Sequence, residues 1–131
     1  MNQIRTIYEP RYYGVLHTKR GHLVLGPDEN EFGPYDLVLA GLSSCFYVTF
    51  LSITQKMHLH YDEVIIDVTG NHREEPPTML NHIVLDMEVK GADLEKEKQY
   101  KRAVEIAGKY CSVYQTLSHV AEMETNLTLT P

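Results

Sequence analysis

The sequence predicts an α+β fold in which helices pack on antiparallel sheet. Three stretches carry that expectation. From Leu37 to Gln55 the chain holds no formal charge, so this segment reads as a helix buried on most of its circumference. His82 to Val89 alternates Ile83, Leu85, Met87 and Val89 with Val84, Asp86 and Glu88, the period of a half-buried strand. Leu94 to Tyr110 sets Tyr100, Ala103, Val104 and Ala107 at helical spacing against a charged face of Glu95, Lys96, Glu97, Lys98, Lys101 and Arg102.

Taken in order, the first thirty residues read as two or three antiparallel strands. Ile4, Thr6 and Tyr8 alternate, then Tyr13, Val15 and His17, then His22 to Leu25 after a turn at Lys19, Arg20 and Gly21. Gly26 to Phe32 is an acidic connection. Pro34 suits the first position of the long helix, where a missing N–H costs nothing, and Asp36 complements its positive end. Met57 to Tyr61 connects to a strand over Glu63 to Asn71, with Val64, Ile66 and Val68 on one face. The paired prolines between His72 and Asn81 mark a turn region. Asp93 caps the second helix and Gly108 is the expected stop. A short helix starts at Cys111 and Ser112, and a last strand covers Asn126 to Thr130.

The chain has 131 residues, enough to bury a core without disulfides, and no linker, charge block or repeat divides it, so residues 1–131 read as one domain. A formal net charge of −6 argues against nucleic acid and anionic membrane surfaces, which require a basic face. A span needs about 20 mostly apolar residues, whereas the uncharged run spends several positions on Ser, Thr, Tyr and Gly. No membrane partner is expected. Two cysteines and a start without a basic, apolar leader suggest the reducing cytoplasm.

Cys45 and Cys111 are the two thiols. Cys45 follows the small residues Ala40, Gly41, Ser43 and Ser44, which let a backbone or a substrate approach closely. A small core hydrophobe or a plain helix contact would leave the same pattern. Lying about 16 Å inside its helix, Cys45 is beyond reach of that helix's dipole. A reactive Cys45 then needs a nearby cation, with Lys19 or Arg20 of the hairpin as candidates. Cys111, at the start of a short helix beside unpaired N–H donors, reads as the more acidic thiol. His58 and His60 lack a third ligand at a telling spacing, so no metal is expected. His119 lies about 12 Å along the helix from Cys111, too far to act as its base there.

The pattern GP-x-D-L-V-L-A-G-L-S-S-C resembles the first-cysteine helix of OsmC/Ohr proteins, which typically reads N/S-P-x-E-L-L-L-A-A-L-A-A-C. The stretch AGKYCSVYQTLSHVAEMETNL resembles their second motif, a helix running into a cysteine and then a last strand. The likeness extends from GHLVLGPDE to the end of the chain. It implies an OsmC-like fold, antiparallel sheets packed around a long buried helix in an intertwined homodimer. It also implies a thiol-dependent peroxidase acting on organic hydroperoxides and in some cases hydrogen peroxide. Cys45 would be the attacking thiol, Cys111 the resolving one and a dithiol the reductant, with no metal or organic cofactor. Tyr35 stands where hydroperoxide-specialised members carry a glutamate, with Asp36 one place later, and Ser112 stands where the family commonly has proline. The alternative is a homodimer of the same fold that binds a small apolar ligand, with weak peroxidase activity or none.

Overall fold

A computed structural model describes residues 2–131. The chain forms two compact units, one up to Val38 and the other Leu39–Pro131. In the first, β1 (Arg5–Tyr8), β2 (Gly14–Thr18) and β3 (Gly21–Leu25) make an antiparallel sheet in sequence order. Its register sets Arg5 opposite His17 and His17 opposite His22. The chain then enters α1 (Pro34–Lys56), where the Asp36 carboxylate accepts from the Gly33 amide at 2.8 Å and satisfies an N–H that the helix leaves unpaired.

The second unit is a three-stranded sheet with helices against one face. The strands β4 (Glu63–His72), β5 (Leu80–Lys90) and β6 (Glu122–Thr130) lie in the order β4-β5-β6. On β5 the predicted alternation is the observed one, with Ile83, Leu85, Met87 and Val89 all buried. Their register partners Val64, Ile66, Val68 and Gly70 on β4, and Met123, Thr125, Leu127 and Leu129 on β6, extend the same face across the sheet. The opposite face carries Asp67, Asp86 and Asn126 in one row, where the Asn126 amide donates to Asp86 at 2.9 Å.

The α+β class stands, while the last strand differs in direction and length from expectation. β6 runs parallel to β5. The connection between them carries α2 (Glu97–Tyr110) and α3 (Ser112–Ser118) and returns the chain to the Leu80 end of β5, so Glu122 pairs with His82. The strand starts at Glu122 rather than Asn126 because Met123 and Thr125 already point to the covered face.

Burial of α1 within the single chain is narrower than its composition suggests. Leu42, Phe46, Phe50 and Thr54, each four residues apart, form one buried stripe. Phe46 packs on the Tyr114 ring and Phe50 on the Tyr61 ring, at centroid distances of 6.0 and 5.8 Å. The Thr54 hydroxyl lies 3.0 Å from the Phe50 carbonyl and bonds within its own helix, so it is buried without cost. Gly70 lies under the helix, where an added Cβ would come within 2.9 Å of Leu80 and 3.1 Å of Leu39.

Asp93 caps the next segment as expected, accepting from the Glu95 amide ahead of one 3-10 turn, Leu94–Lys96. Gly108 does not stop α2. An added Cβ there would sit 3.5 Å from the Tyr114 ring, an ordinary contact, so the ring does not by itself require glycine at this position. The helix ends at Cys111, whose extended backbone (φ −72°, ψ 116°) breaks the helical run after its amide bonds the Ala107 carbonyl.

Leu85 is 0 % exposed at the centre of the middle strand. Leu85→Ala is expected to lower the unfolding free energy by about 2–5 kcal/mol, read as a fall in the urea midpoint at unchanged slope.

Candidate active site

Cys45 lies beside the buried stripe of α1, next to Phe46, and is half-buried. Cys111 is the corner between α2 and α3 and is 0 % exposed. The fold brings the two together. The backbone amides of Val113 and Ser112 and the Cys111 thiol are the donor groups near the Cys45 sulfur that favour its ionised form. The Cys111 sulfur accepts from the Tyr114 amide at 3.4 Å and so acts as N-cap of α3. Opening amides that a short helix cannot pair internally therefore end on two sulfur atoms.

The electrostatics divide the pair. Burial works to raise the Cys45 pKa, but the Val113 amide, the Cys111 thiol and the Ser112 amide together outweigh it and hold the thiol below its ordinary value. Burial pushes the Cys111 thiol up to about 11, against the Tyr114 amide, and the hydrogen bond to Cys45 together with its charge adds to the rise. The expectation that Cys111 is the more acidic thiol is thus reversed. It correctly placed the unpaired amides at the start of α3, but those of Ser112 and Val113 serve the sulfur of the neighbouring helix. Cys45 is stabilised by backbone dipoles and a thiol, so its lowered pKa does not call for the cation that its depth in α1 suggested.

Lys19 and Arg20 form the tip of the β2–β3 hairpin in the first unit. Tyr35 lies in the first turn of α1, and Asp36 beside it is engaged by the Gly33 amide. His58 adopts a left-handed backbone (φ 56°) after α1, and His60 lies 3.1 Å from Asp62. His119 caps the end of α3. Sequence reasoning missed Tyr114, whose ring fills the space between Phe46 and Gly108 and whose amide reaches Cys111.

With a lowered thiol and a raised one in contact, the pair can hold one proton between two sulfurs, and Cys45 is the one that gives up its proton more readily. A family model described as OsmC-like protein matches residues 26–126, a span that includes both cysteines. The chain belongs to the OsmC-like protein family. Among its relatives, Protein YhfA of Escherichia coli (strain K12) is 37% identical over 97 residues, which cover 71% of this chain and 72% of that protein. A protein named Hydroperoxide reductase from Mycoplasma pneumoniae is 26% identical over 102 residues, covering 76% of this chain and 71% of its own. In fold, the crystal structure of the OsmC like protein from Mycoplasma pneumoniae superimposes with a TM-score of 0.86 at 19% identity, covering 98% of this chain and 96% of the other.

At neutral pH a limiting amount of iodoacetamide is expected to alkylate Cys45 and spare Cys111, as peptide mass mapping would show. Cys111→Ala removes a donor and is expected to raise the Cys45 pKa in a thiolate-absorbance titration. Cys111→Ser keeps an O–H donor and should raise it less.

Proposed function

We propose that this OsmC-like protein is a thiol-dependent peroxidase for organic hydroperoxides, with Cys45 as attacking thiolate and Cys111 as resolving thiol. The observation that carries this reading is the contact between two thiols of opposite acidity. The Cys45 thiolate attacks the O–O bond. One oxygen stays on sulfur as sulfenic acid, and the alkoxide leaves and takes up a proton to become an alcohol. The Cys111 thiol then attacks the oxidised sulfur, a disulfide forms, and water departs with the Cys111 proton. An external dithiol returns both cysteines to the reduced state. The cycle uses no metal or organic cofactor, and its need for reduced thiols fits the cytoplasm. The Mycoplasma pneumoniae relative is named for this type of reaction.

A second copy of the chain is the proposed cover for the outer side of α1. By length and composition this helix could cross a membrane. Yet its exposed positions Ala40, Gly41, Ser44 and Ser52 are small, and Val48 among them is 59% exposed. Small side chains allow another helix to come close, and isologous pairing around a two-fold axis would bury this face on both copies at once.

Titrating the reduced protein with cumene hydroperoxide is expected to consume two thiols per chain and yield a Cys45–Cys111 disulfide by mass spectrometry. Cys45→Ser should abolish peroxide consumption, whereas Cys111→Ser should complete one turnover and stop at the sulfenic acid. Survival of both thiols would overturn the peroxidase reading and favour a ligand-binding protein of the same fold. In sedimentation velocity the unaltered chain is expected to run as a dimer and Val48→Arg as a monomer.

A further inference from the structure

Three cations of the first unit converge on one cleft. It has a volume of about 720 Å³ and lies between the residues that lead into β1 and the end of the β2–β3 hairpin. Arg5, Lys19 and Arg20 supply its charge, and Asn2, His17 and Thr18 add polar groups. Arg5 is directly opposite His17, and His17 is directly opposite His22 with ring centroids 6.2 Å apart, so the three form one row on one face. At the hairpin tip the Arg20 amide donates to the Thr18 hydroxyl at 3.0 Å, and that hydroxyl lies 3.4 Å from the Gly21 carbonyl. The turn that displays Lys19 and Arg20 is therefore pinned by its own hydrogen bonds.

The charge balance makes this grouping informative. The chain carries 18 acidic residues against 12 basic ones, yet no acidic residue lines the cleft. Elsewhere, Arg11, Lys90, Lys101 and Arg102 each pair with a glutamate. Among the described residues, Arg5, Lys19 and Arg20 have no carboxylate partner within 4.0 Å. Cations gathered within a screening length repel one another, and a bound anion relieves that repulsion. A compact anion suits the place better than a long polyanion, which would meet the negative remainder of the protein.

We propose that this cleft binds the phosphoryl group of a small phosphorylated molecule. Guanidinium groups such as those of Arg5 and Arg20 match pairs of oxyanion oxygens, and the Lys19 ammonium adds a point charge. The site is built from residues of the first unit and does not depend on the thiol chemistry.

The test is titration of the full chain with pyrophosphate at constant ionic strength, followed by amide chemical shifts, with inorganic phosphate and chloride as separate arms. Saturable shifts are expected at Arg5 and from His17 to Arg20, with chloride giving no saturation. Tighter binding of pyrophosphate than of inorganic phosphate would point to a phosphorylated metabolite, and the reverse order to free phosphate. A triple variant, Arg5→Ala with Lys19→Ala and Arg20→Ala, changes only exposed side chains; it should keep its melting temperature and bind about tenfold more weakly or worse. Shifts that grow linearly and match those from chloride would overturn the proposal, as would unchanged binding by the triple variant. So would a short oligonucleotide that binds more tightly than pyrophosphate.

Discussion

Seating one stripe of α1 in the second unit fixes the placement of both thiols. Leu42, Phe46, Phe50 and Thr54 meet Tyr61, Tyr114 and the sheet, and this sets the rotation of the helix about its axis. Cys45 adjoins Phe46, so the same rotation leaves its sulfur half-buried at the margin of the covered side. Tyr114 links the two cysteine elements directly. Its ring packs on Phe46 and lies against Gly108, and its amide donates to the Cys111 sulfur. Loss of that packing would move both sulfurs.

Cys45 shows how a thiol far from its own helix end can still be acidified. Desolvation alone would keep it protonated, and the opposing influence comes from donors fixed by the backbone of another helix. Such donors are already oriented and need no side chain to be held in place, so little is spent in ordering them. Cys111 lies deeper and beside Cys45, and both conditions favour its protonated form. The two thiols thus differ through position, although they share one cluster of amides.

Period and punctuation made much of the fold readable from sequence. The alternation on β5, Pro34 and Asp36 at the start of α1, and Asp93 before α2 each have a local cause, and each lies where its chemistry places it. Contacts distant along the chain were not readable. The parallel direction of β6 depends on how α2 and α3 cross back over the sheet, and no residue of β6 encodes that by itself. Gly108 reads locally as a stop, but α2 runs on to Tyr110 and ends where the Cys111 backbone turns extended. Both cysteines stood out in the sequence. The reversal of their acidities did not, because the deciding groups are the N–H donors of Ser112 and Val113, which every non-proline residue possesses.

The start of α3 ties chain mobility to sulfur chemistry. A helix of seven residues is too short to persist by itself, and its opening amides rest on the two sulfurs. Joining those sulfurs to each other would discharge the thiolate and weaken every one of these caps together, at about 1 kcal/mol for a lost cap. Under the proposed chemistry the corner at Cys111 would then be tight while the protein awaits peroxide and loose once a disulfide has formed. A reductant arriving afterwards would meet a more pliant backbone at the one place where it has work to do.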